Sequence, residues 1–514
     1  MERFDGATAT RWARLAAERL DEQHAWINSI NVFPVADSDT GTNSLLTVSG
    51  GLEAVAELAP GQGVAEVLAA FARGALVSAR GNSGVIISQF VGGMAAHLAL
   101  LDEADVGATQ LSRALKAGHR AARESVAVPV RGTVLSATKR SAKHARRAAK
   151  SGGEIADVCQ AALDAAREAT RRSPEQLPVL AEAGVVDAGA SVLVVVLEAL
   201  VEAVTGTRPP RSGALAGGLV SPERATIAAA DFACAPDAGS DGEFELMFLL
   251  EADGREAGGF ETGGDVSLAL RGRLAELGES VAVVGAAGLW QAHVHTDLPA
   301  KALAAAALGA QRQVVVRHLG LHTGEAVPGG LGVVAAVEDP GLVAQVARTG
   351  AVVHVPSYPA ATPAELARAV TDTGAGRAVV VAADAGTLVA AHALAATDPR
   401  VTVLEVRDGL HAALALGELV AGSFATPDES EQGLRAAAAG VRTRRLGADD
   451  GALGGLVGTG TELVAVLHGS RVPPAVIARL EADALAAGAG EFLALDSWHD
   501  DDAVLVGALA AEGE

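Results

Sequence analysis

Apolar residues recur at helical spacing through most of the first 205 residues. Trp12, Leu15, Leu20 and Trp26 follow this spacing and predict one amphipathic helix from residue 7 to about residue 30. Further helical patterns follow at 44–58, 63–79, 84–101, 107–124, 132–150, 154–171 and 188–205. Because no segment among them alternates like a strand, residues 1–205 are predicted to form an all-α bundle or barrel of about eight helices.

The periodicity changes after a Pro- and Gly-rich stretch, and residues 206–225 are predicted to be a linker. In 226–328 the pattern predicts a small middle α+β domain, with strands at 244–250, 280–285 and 289–296 and helices near 265–277 and 298–309. From 329 to 514 strands and helices alternate, which predicts an α/β region with a parallel sheet. Its predicted strands are 333–337, 351–355, 378–382, 401–404, 462–468, 491–495 and 503–508, with a sub-boundary near 425–430. The chain is therefore expected to be multidomain.

Composition narrows the class of protein. The 514 residues predict two to four domains, and 40 basic against 62 acidic residues give a formal charge of −22. This excess argues against nucleic acid or an anionic membrane as the main partner. The start of the chain lacks a secretory pattern, its apolar runs are short for a bilayer, and two distant cysteines make no disulfide framework. A soluble cytoplasmic protein without a transmembrane segment is the expectation.

Two polar loops carry candidate chemistry. The first, from Asn31 to Asn43, contains Asp37 and Asp39 one residue apart, then Thr40 and Gly41. Two carboxylates in a short loop suit Mg²⁺ bound together with nucleotide phosphates. The same residues are also typical of an ordinary polar turn before a helix.

The second loop makes the functional interpretation more specific. It runs through Arg80-Gly81-Asn82-Ser83-Gly84, between two apolar helical segments. Two glycine-containing polar loops that each lead into a helix indicate an anion site, because a helix N-terminus attracts phosphate.

Four motifs, in order across about 190 residues, resemble a known family. The loops resemble the Asn-Val-Phe-Pro-Val-Pro-Asp-Gly-Asp-Thr-Gly-Thr-Asn and Ala-Arg-Gly-Asn-Ser-Gly-Val signatures of the dihydroxyacetone-kinase-type (DhaL-like) nucleotide-binding domain. Residues 128–135 and 177–189 resemble two further elements of that family. Its version in the ATP-binding large subunit of bacterial fatty acid kinase is the most similar.

The resemblance implies an antiparallel helical barrel that holds ATP and Mg²⁺ at one end. Asp37, Asp39 and Asn31 would bind the metal, with Asp37, Asp39 and Thr40 as the catalytic set. The residues that would contact the nucleotide are Thr42, Asn43, Asn82, Ser83, Gly84, Gly132, Thr133, Asp187 and Gly189. Departures from the signatures include Ala36, Ser38, Ser44 and Arg131, and none of them removes a carboxylate of the central pair.

His293 and His295 alternate onto one face of a predicted strand, and such a pair is either a surface feature or part of a metal site. The family's middle domain has a similar His-Val-His-Thr element associated with zinc. Glu245 stands where that family has a cysteine, so the resemblance implies a His₂Glu zinc site or its loss.

The basic run at 139–150 is typical of a solvated helix face, with an acidic partner as the alternative. The C-terminal half serves partner interaction in the family, but its polar landmarks differ here, at 355–359 and 498–501. The resemblance implies an ATP-dependent kinase that phosphorylates a fatty acid carboxylate presented by a separate fatty-acid-binding protein, as part of phospholipid metabolism. A dihydroxyacetone (glycerone) kinase-like enzyme and a nucleotide-binding regulator with little turnover stay open, as does a homodimer.

Overall fold

A computed structural model describes thirteen segments of the chain: residues 3–34, 38–101, 106–126, 128–210, 242–252, 263–286, 288–321, 330–357, 360–422, 424–446, 453, 455–458 and 460–510. These residues pack as two compact units, one of 1–241 with 280–293 and one of 242–279 with 294–514. The predicted linker lies mostly outside the described residues, which stop at residue 210 and resume at residue 242.

Residues 3–210 contain ten α-helices in the part that is described, and no strand among the named elements. They are α1 (Gly6–Asp21), α2 (His24–Ser29), α3 (Thr40–Ala56), α4 (Val64–Val77), α5 (Gly81–Leu98), α6 (Ala108–Glu124), α7 (Val134–Lys150), α8 (Ile155–Arg171), α9 (Pro178–Ala183) and α10 (Ala188–Thr205). Successive long helices pack side by side from α3 to α8, and α10 packs against both α8 and α1. The all-α prediction for this region is confirmed.

The single helix predicted from residue 7 to residue 30 is wrong. Helix α1 ends at Asp21, the backbone leaves helical geometry at Gln23, and the chain starts again as α2. Asp5 caps the first of these helices, because its Oδ1 accepts the backbone amide of Thr8 at 2.7 Å. The break matters because α2 carries Asn28, which orders the following loop.

Helix α10 is buried on nearly every side. Its core includes Leu193, Val195 and Leu197, each fully shielded from solvent. Of the described helices, it alone is long and apolar enough to cross a membrane by length and composition, and 83% of its most apolar window is buried inside the protein. It is therefore the central helix of a packed domain.

The remaining elements form two sheets covered by helices. The strands are β1 (Phe244–Glu251), β2 (Glu279–Ala286), β3 (Leu289–Thr296), β4 (Ala310–His318), β5 (Gly332–Ala336), β6 (Val352–Val355), β7 (Ala378–Ala382), β8 (Val401–Glu405), β9 (Val441–Leu446), β10 (Thr461–His468), β11 (Glu491–Asp496) and β12 (Val504–Ala510). The helices are α11 (Gly263–Ala275), α12 (Pro299–Ala305), α13 (Pro340–Ala347), α14 (Pro363–Asp372), α15 (Ala385–Ala395), α16 (Gly409–Ala421), α17 (Pro427–Gly440) and α18 (Pro474–Ala486).

The larger sheet has eight strands in the order β2-β3-β1-β4-β6-β5-β7-β8. Strands β5 to β8 pair in parallel, as the sequence predicts, whereas β4 pairs antiparallel with β6. The boundary predicted between residues 328 and 329 therefore separates strands that the structure joins in one mixed sheet. The smaller sheet has the order β11-β10-β12-β9.

The sequence pattern does not predict two of the strands, β4 and β9, and both are rich in charged or amide side chains. Strand β4 begins Ala-Gln-Arg-Gln, and β9 reads Val-Arg-Thr-Arg-Arg-Leu with several exposed positions. Strand β4 pairs on both sides, with β1 and β6. Its place in the sheet is decided by its neighbours and not by its own β propensity.

We expect Leu197→Ala to destabilise the protein by about 2–5 kcal/mol, because it opens a cavity in the wall of the buried helix α10. Leu100→Ala is the matched control, since Leu100 is 83% exposed, and its cost is expected to stay below about 0.5 kcal/mol. Urea unfolding of both variants measures the difference. Equal losses would contradict the central position of α10.

Candidate functional site

The loop before α3 is organised by Asn28. The Oδ1 atom of Asn28 accepts the backbone amides of Gly41 at 2.7 Å and Thr42 at 3.1 Å, and its Nδ2 donates to the Thr42 hydroxyl at 2.9 Å. A side chain at Gly41 would meet the His24 carbonyl oxygen at 2.1 Å. The helix therefore begins against α2, and Thr42 is held by a structural contact at the edge of the candidate site.

The predicted metal-binding residues are only partly described. Asp37 lies outside the described residues. Asn31 is buried, its Oδ1 accepts the Thr40 hydroxyl at 2.9 Å, and the half-buried Asp39 is the residue before α3. These residues bring hard oxygen atoms together, which suits Mg²⁺ bound by few protein ligands.

The beginnings of α5, α7 and α10 meet at one point. A Cβ atom placed on Gly189, in α10, would lie 3.2 Å from Oγ of Ser83 in α5 and 3.5 Å from Cβ of Val134 in α7. It would also lie 3.5 Å from Oδ1 of Asp187. The fold thus brings three predicted site residues, Ser83, Asp187 and Gly189, together with Val134, which follows the predicted Thr133.

Two of these helices begin without a side-chain cap among the described residues. This holds for α5, whose N-cap residue is Arg80, and for α7, whose N-cap residue is Thr133. The Thr133 hydroxyl donates to the Val130 carbonyl oxygen at 2.9 Å, and the Gly132 amide donates to Oγ of Ser136 at 3.0 Å. Apart from the Val134 amide, which donates to Asp187, these two adjacent helix starts concentrate amide donors and positive dipole ends, which favours a phosphate.

Close packing of α3 on α5 places Asn43 beside the second loop. Gly81 has a φ of +59°, and a Cβ there would lie 3.2 Å from Nδ2 of Asn43. A Cβ on Gly84 would lie 2.4 Å from Oγ1 of Thr47. The half-buried Asn82 sits between these two glycines, so both predicted loops border the same region.

Sequence reasoning missed three residues that position these loops: Asn28, Thr47 and Gln291. The buried Thr47 donates its hydroxyl to the Asn43 carbonyl at 2.7 Å and accepts the Arg80 amide at 3.3 Å. Nε2 of Gln291, on β3, donates to the Ala79 carbonyl at 2.9 Å. Gln291 and Ala79 are 212 residues apart, and no local pattern could have indicated that contact.

Asp187 is a fully buried carboxylate at the start of α10. Burial raises its pKa to about 7, while hydrogen bonds from the amides of Ala190 and Val134 lower it by less. Its backbone amide donates to Oγ of Ser173 at 2.9 Å. A carboxylate with a raised pKa is partly protonated near neutrality and repels a neighbouring phosphate less than a fully ionised one does.

A second cluster lies on β1 and β3, neighbouring strands of the eight-stranded sheet. Glu245, His293 and His295 are all buried, and one ligand atom from each lies within 4.8 Å of the others. Carboxylate and imidazole groups are also the ligands of known zinc sites, in which each bond to Zn²⁺ is about 2.0–2.2 Å long.

Arg317 changes what this cluster can do. It faces Glu245 directly across the β1–β4 pair, and its Nε donates to Oε2 of Glu245 at 2.7 Å, with Nη2 also in contact. Both side chains are almost fully shielded from solvent. A buried Arg–Glu pair is already neutral, so Zn²⁺ bound beside the two histidines would add two positive charges that the carboxylate of Glu245, already paired with Arg317, does not offset. The residues present therefore fit zinc poorly.

Comparison with known proteins supports the motif analysis. Residues 34–202 match the family model of the DAK2 domain, and residues 242–325 match the model of the FakA-like middle domain of fatty acid kinase. Protein YloV of Bacillus subtilis is 32% identical over 306 residues, which cover 58% of this chain and 52% of that protein. Uncharacterized protein SH1689 of Staphylococcus haemolyticus is 37% identical over 190 residues, covering 37% of this chain and 34% of that protein.

The match spans about half the length of the first of these relatives and about a third of the second. Among solved structures, the crystal structure of the dihydroxyacetone kinase from C. freundii in complex with AMP-PNP and Mg²⁺ is 21% identical, covers 39% of this chain and 34% of that chain, and has a TM-score of 0.29. This structural likeness is too low to carry an argument. The two domain matches confirm the resemblance to the dihydroxyacetone-kinase-type family, on the fatty acid kinase side, and both domains point to phosphotransferase chemistry.

We expect Asp187→Asn to change the pH dependence of stability. The pKa of Asp187 lies above its ordinary value of 3.8, so the unfolded chain loses this proton first, and the wild type loses stability as pH rises from about 4 to about 7. The asparagine variant keeps an acceptor for Ala190 and lacks this titration. Its stability relative to wild type should therefore increase across that window.

Urea unfolding of both proteins at pH 5 and pH 8 measures this difference. Asp187→Ala is the control, because it also removes the titrating group but loses the helix cap, at a cost of about 1 kcal/mol. A difference between wild type and Asp187→Asn that does not change with pH would contradict the raised pKa.

We expect Arg317→Gln to cost about 3–5 kcal/mol, because it leaves Glu245 buried without its cation. The double variant Glu245→Gln/Arg317→Gln should recover most of this loss, since neither charge is then buried. Unfolding experiments give both values, and elemental analysis of the purified proteins gives their zinc content. Stoichiometric zinc in the wild type, lost in Glu245→Ala, would establish the His₂Glu site instead.

Proposed function

We propose that this chain, which carries a DAK2 domain followed by a FakA-like middle domain, is an ATP-dependent kinase that phosphorylates a fatty acid carboxylate. The observation that carries the proposal is the meeting of the N-termini of α5, α7 and α10 at Ser83, Val134 and Gly189. A site with converging helix starts suits phosphoryl transfer, which depends on positioning and charge neutralisation.

In this proposal the backbone amides at the starts of α5 and α7 bind the nucleotide phosphates. Asn82, Ser83 and Gly84 on one side and Gly132 and Thr133 on the other form the walls of the phosphate site. The missing side chain of Gly189 keeps the space next to Ser83 open, since a Cβ there would lie 3.2 Å from the serine hydroxyl. Burial raises the pKa of Asp187 to about 7, so its carboxylate carries less negative charge near neutrality than an exposed aspartate does.

The carboxylates of Asp37 and Asp39 and the amide oxygen of Asn31 would hold Mg²⁺, which neutralises phosphate charge when bound. Thr40 holds Asn31 in place through its hydroxyl. Asn43 and Thr42 lie in the first turn of α3, where Thr42 is fixed by Asn28. The arrangement provides oxygen ligands on one side and amide donors on the other.

The reaction forms a bond between a carboxylate oxygen of the fatty acid and the γ-phosphorus of ATP and breaks the bond between that phosphorus and the β–γ bridging oxygen. The products are an acyl phosphate and ADP. The match to the FakA-like middle domain supports an acyl acceptor presented by a separate fatty-acid-binding protein. Activity in the cytoplasm is part of the same proposal.

ATP consumption by the purified chain with Mg²⁺ tests this function. We expect turnover only when a fatty acid and a bacterial fatty-acid-binding protein are both present, and a loss of about a hundredfold or more in Asp37→Ala/Asp39→Ala. Asp164→Ala is the matched control, because Asp164 is an exposed carboxylate on α8, and its turnover should equal that of the wild type.

Each alternative function predicts a different result. Turnover with dihydroxyacetone and without a fatty acid would replace the acyl acceptor by a small ketone. Nucleotide binding without turnover for any acceptor would favour a regulator. Unchanged turnover in Asp37→Ala/Asp39→Ala would contradict the metal assignment itself.

A further inference from the structure

Positive charge is concentrated in one short segment of this acidic chain. Residues 108–150 contain eleven lysines and arginines and one acidic residue, Glu124, which gives a formal charge of +10. The rest of the chain then has a formal charge of −32, from 29 basic and 61 acidic residues. The segment forms α6, α7 and the loop between them, together called the basic hairpin here.

On α6 the cations share one face. They are spaced i, i+3, i+7 and i+10, which places them in a narrow stripe, and all four are exposed: Arg113, Lys116, Arg120 and Arg123. The opposite side of α6 is buried through Leu111, Ala114 and Leu115. The stripe therefore faces solvent because of the way the helix packs.

Helix α7 repeats this pattern. Its exposed cations are Lys139, Lys143, Arg146, Arg147 and Lys150, and they lie opposite the buried positions Ala137, Ser141 and Ala145. Among the described residues, Arg120–Glu124 at 4.0 Å is the only ion pair made by a cation of the basic hairpin. Within the described part of the chain, most of this charge is therefore not paired with acidic side chains.

The two stripes form one continuous surface. Helices α6 and α7 pack side by side, and Nδ1 of His119 on α6 lies 3.0 Å from Oγ1 of Thr138 on α7. Burial lowers the pKa of His119, and Lys139 and Arg123 lower it further. One of these cations comes from each helix, so charges of both helices act at the same place.

The loop of the basic hairpin adds an apolar tip. Val128 is 75% exposed and Val130 is 39% exposed, and the exposed Arg131 follows them. Exposing valine side chains to water is unfavourable, and burying them in the interfacial region of a bilayer is favourable. Nucleic acid and an acidic protein surface would match the charges but give no reason for this tip.

We infer that the basic hairpin is a peripheral docking surface for an anionic membrane, with its lysines and arginines on the lipid headgroups and Val128 and Val130 inserted at the interface. The net charge of −22 does not prevent this, because charges more than about 8 Å apart are screened at physiological ionic strength. Only the local charge of the docking face acts on the bilayer. The inference is independent of the proposed kinase activity.

Vesicle co-sedimentation of the full chain tests the inference, with phosphatidylcholine vesicles that contain or lack phosphatidylglycerol. We expect binding only to the anionic vesicles, with an affinity that falls as salt increases. Replacing Lys139, Lys143, Arg146 and Arg147 by glutamine should weaken binding by more than about tenfold. Val128→Ser/Val130→Ser should weaken it as well, without changing its salt dependence.

The matched control replaces four exposed cations outside the basic hairpin by glutamine: Arg73, Lys301, Arg471 and Arg479. It changes the net charge equally and should bind like the wild type. Circular dichroism of both glutamine variants checks that they are folded, because these side chains are exposed.

Three results would overturn the inference. The first is no binding to anionic vesicles at low salt, which would leave an acidic protein as the partner to test. The second is an equal loss in the control, which would make total charge responsible. The third is duplex DNA binding of the same strength with no contribution from the valines, which would make the basic hairpin a general polyanion site.

Discussion

Every α-helix leaves the amide hydrogens of its first turn without an intrahelical acceptor, and the N-terminal domain brings three such helix starts together. This is possible because Gly189 lacks a side chain where α10 meets Ser83 and Val134. Asp187 accepts the amides of Ala190 in α10 and Val134 in α7, and the N-cap residues of α5 and α7 give no side-chain cap. The proposed phosphate site depends on this convergence.

Burying a charged carboxylate is unfavourable, and Asp187 and Glu245 are stabilised against this in different ways. Asp187 receives hydrogen bonds from backbone amides and keeps a raised pKa, so it is easily protonated. Glu245 instead pairs with Arg317, which lies directly opposite on the neighbouring strand. The carboxylate of Glu245 therefore has its own buried cation, and the pair carries no net charge.

The local charge of one segment of this chain differs in sign from the net charge of the whole. A formal charge of −22 argues against polyanionic partners for the chain as a whole, yet the basic hairpin carries +10 within 43 residues. The opposite faces of α6 and α7 are buried in the helical domain, so packing forces the cations to one exposed side. Over distances beyond the screening length the chain is acidic, but at contact this surface is strongly basic.

The sequence alone determined the all-α region, the parallel strands β5 to β8 and the two polar loops, because helical and strand periodicities and motifs are local signals. It did not determine the break at Gln23, strands β4 and β9, or the joining of middle and C-terminal strands in one sheet. Those depend on partners distant in the chain, as β4 shows by pairing with both β1 and β6. The contacts of Asn28, Gln291 and Arg317 were likewise decided by tertiary structure, because a side chain's hydrogen-bond partner is fixed only when two distant segments are packed together.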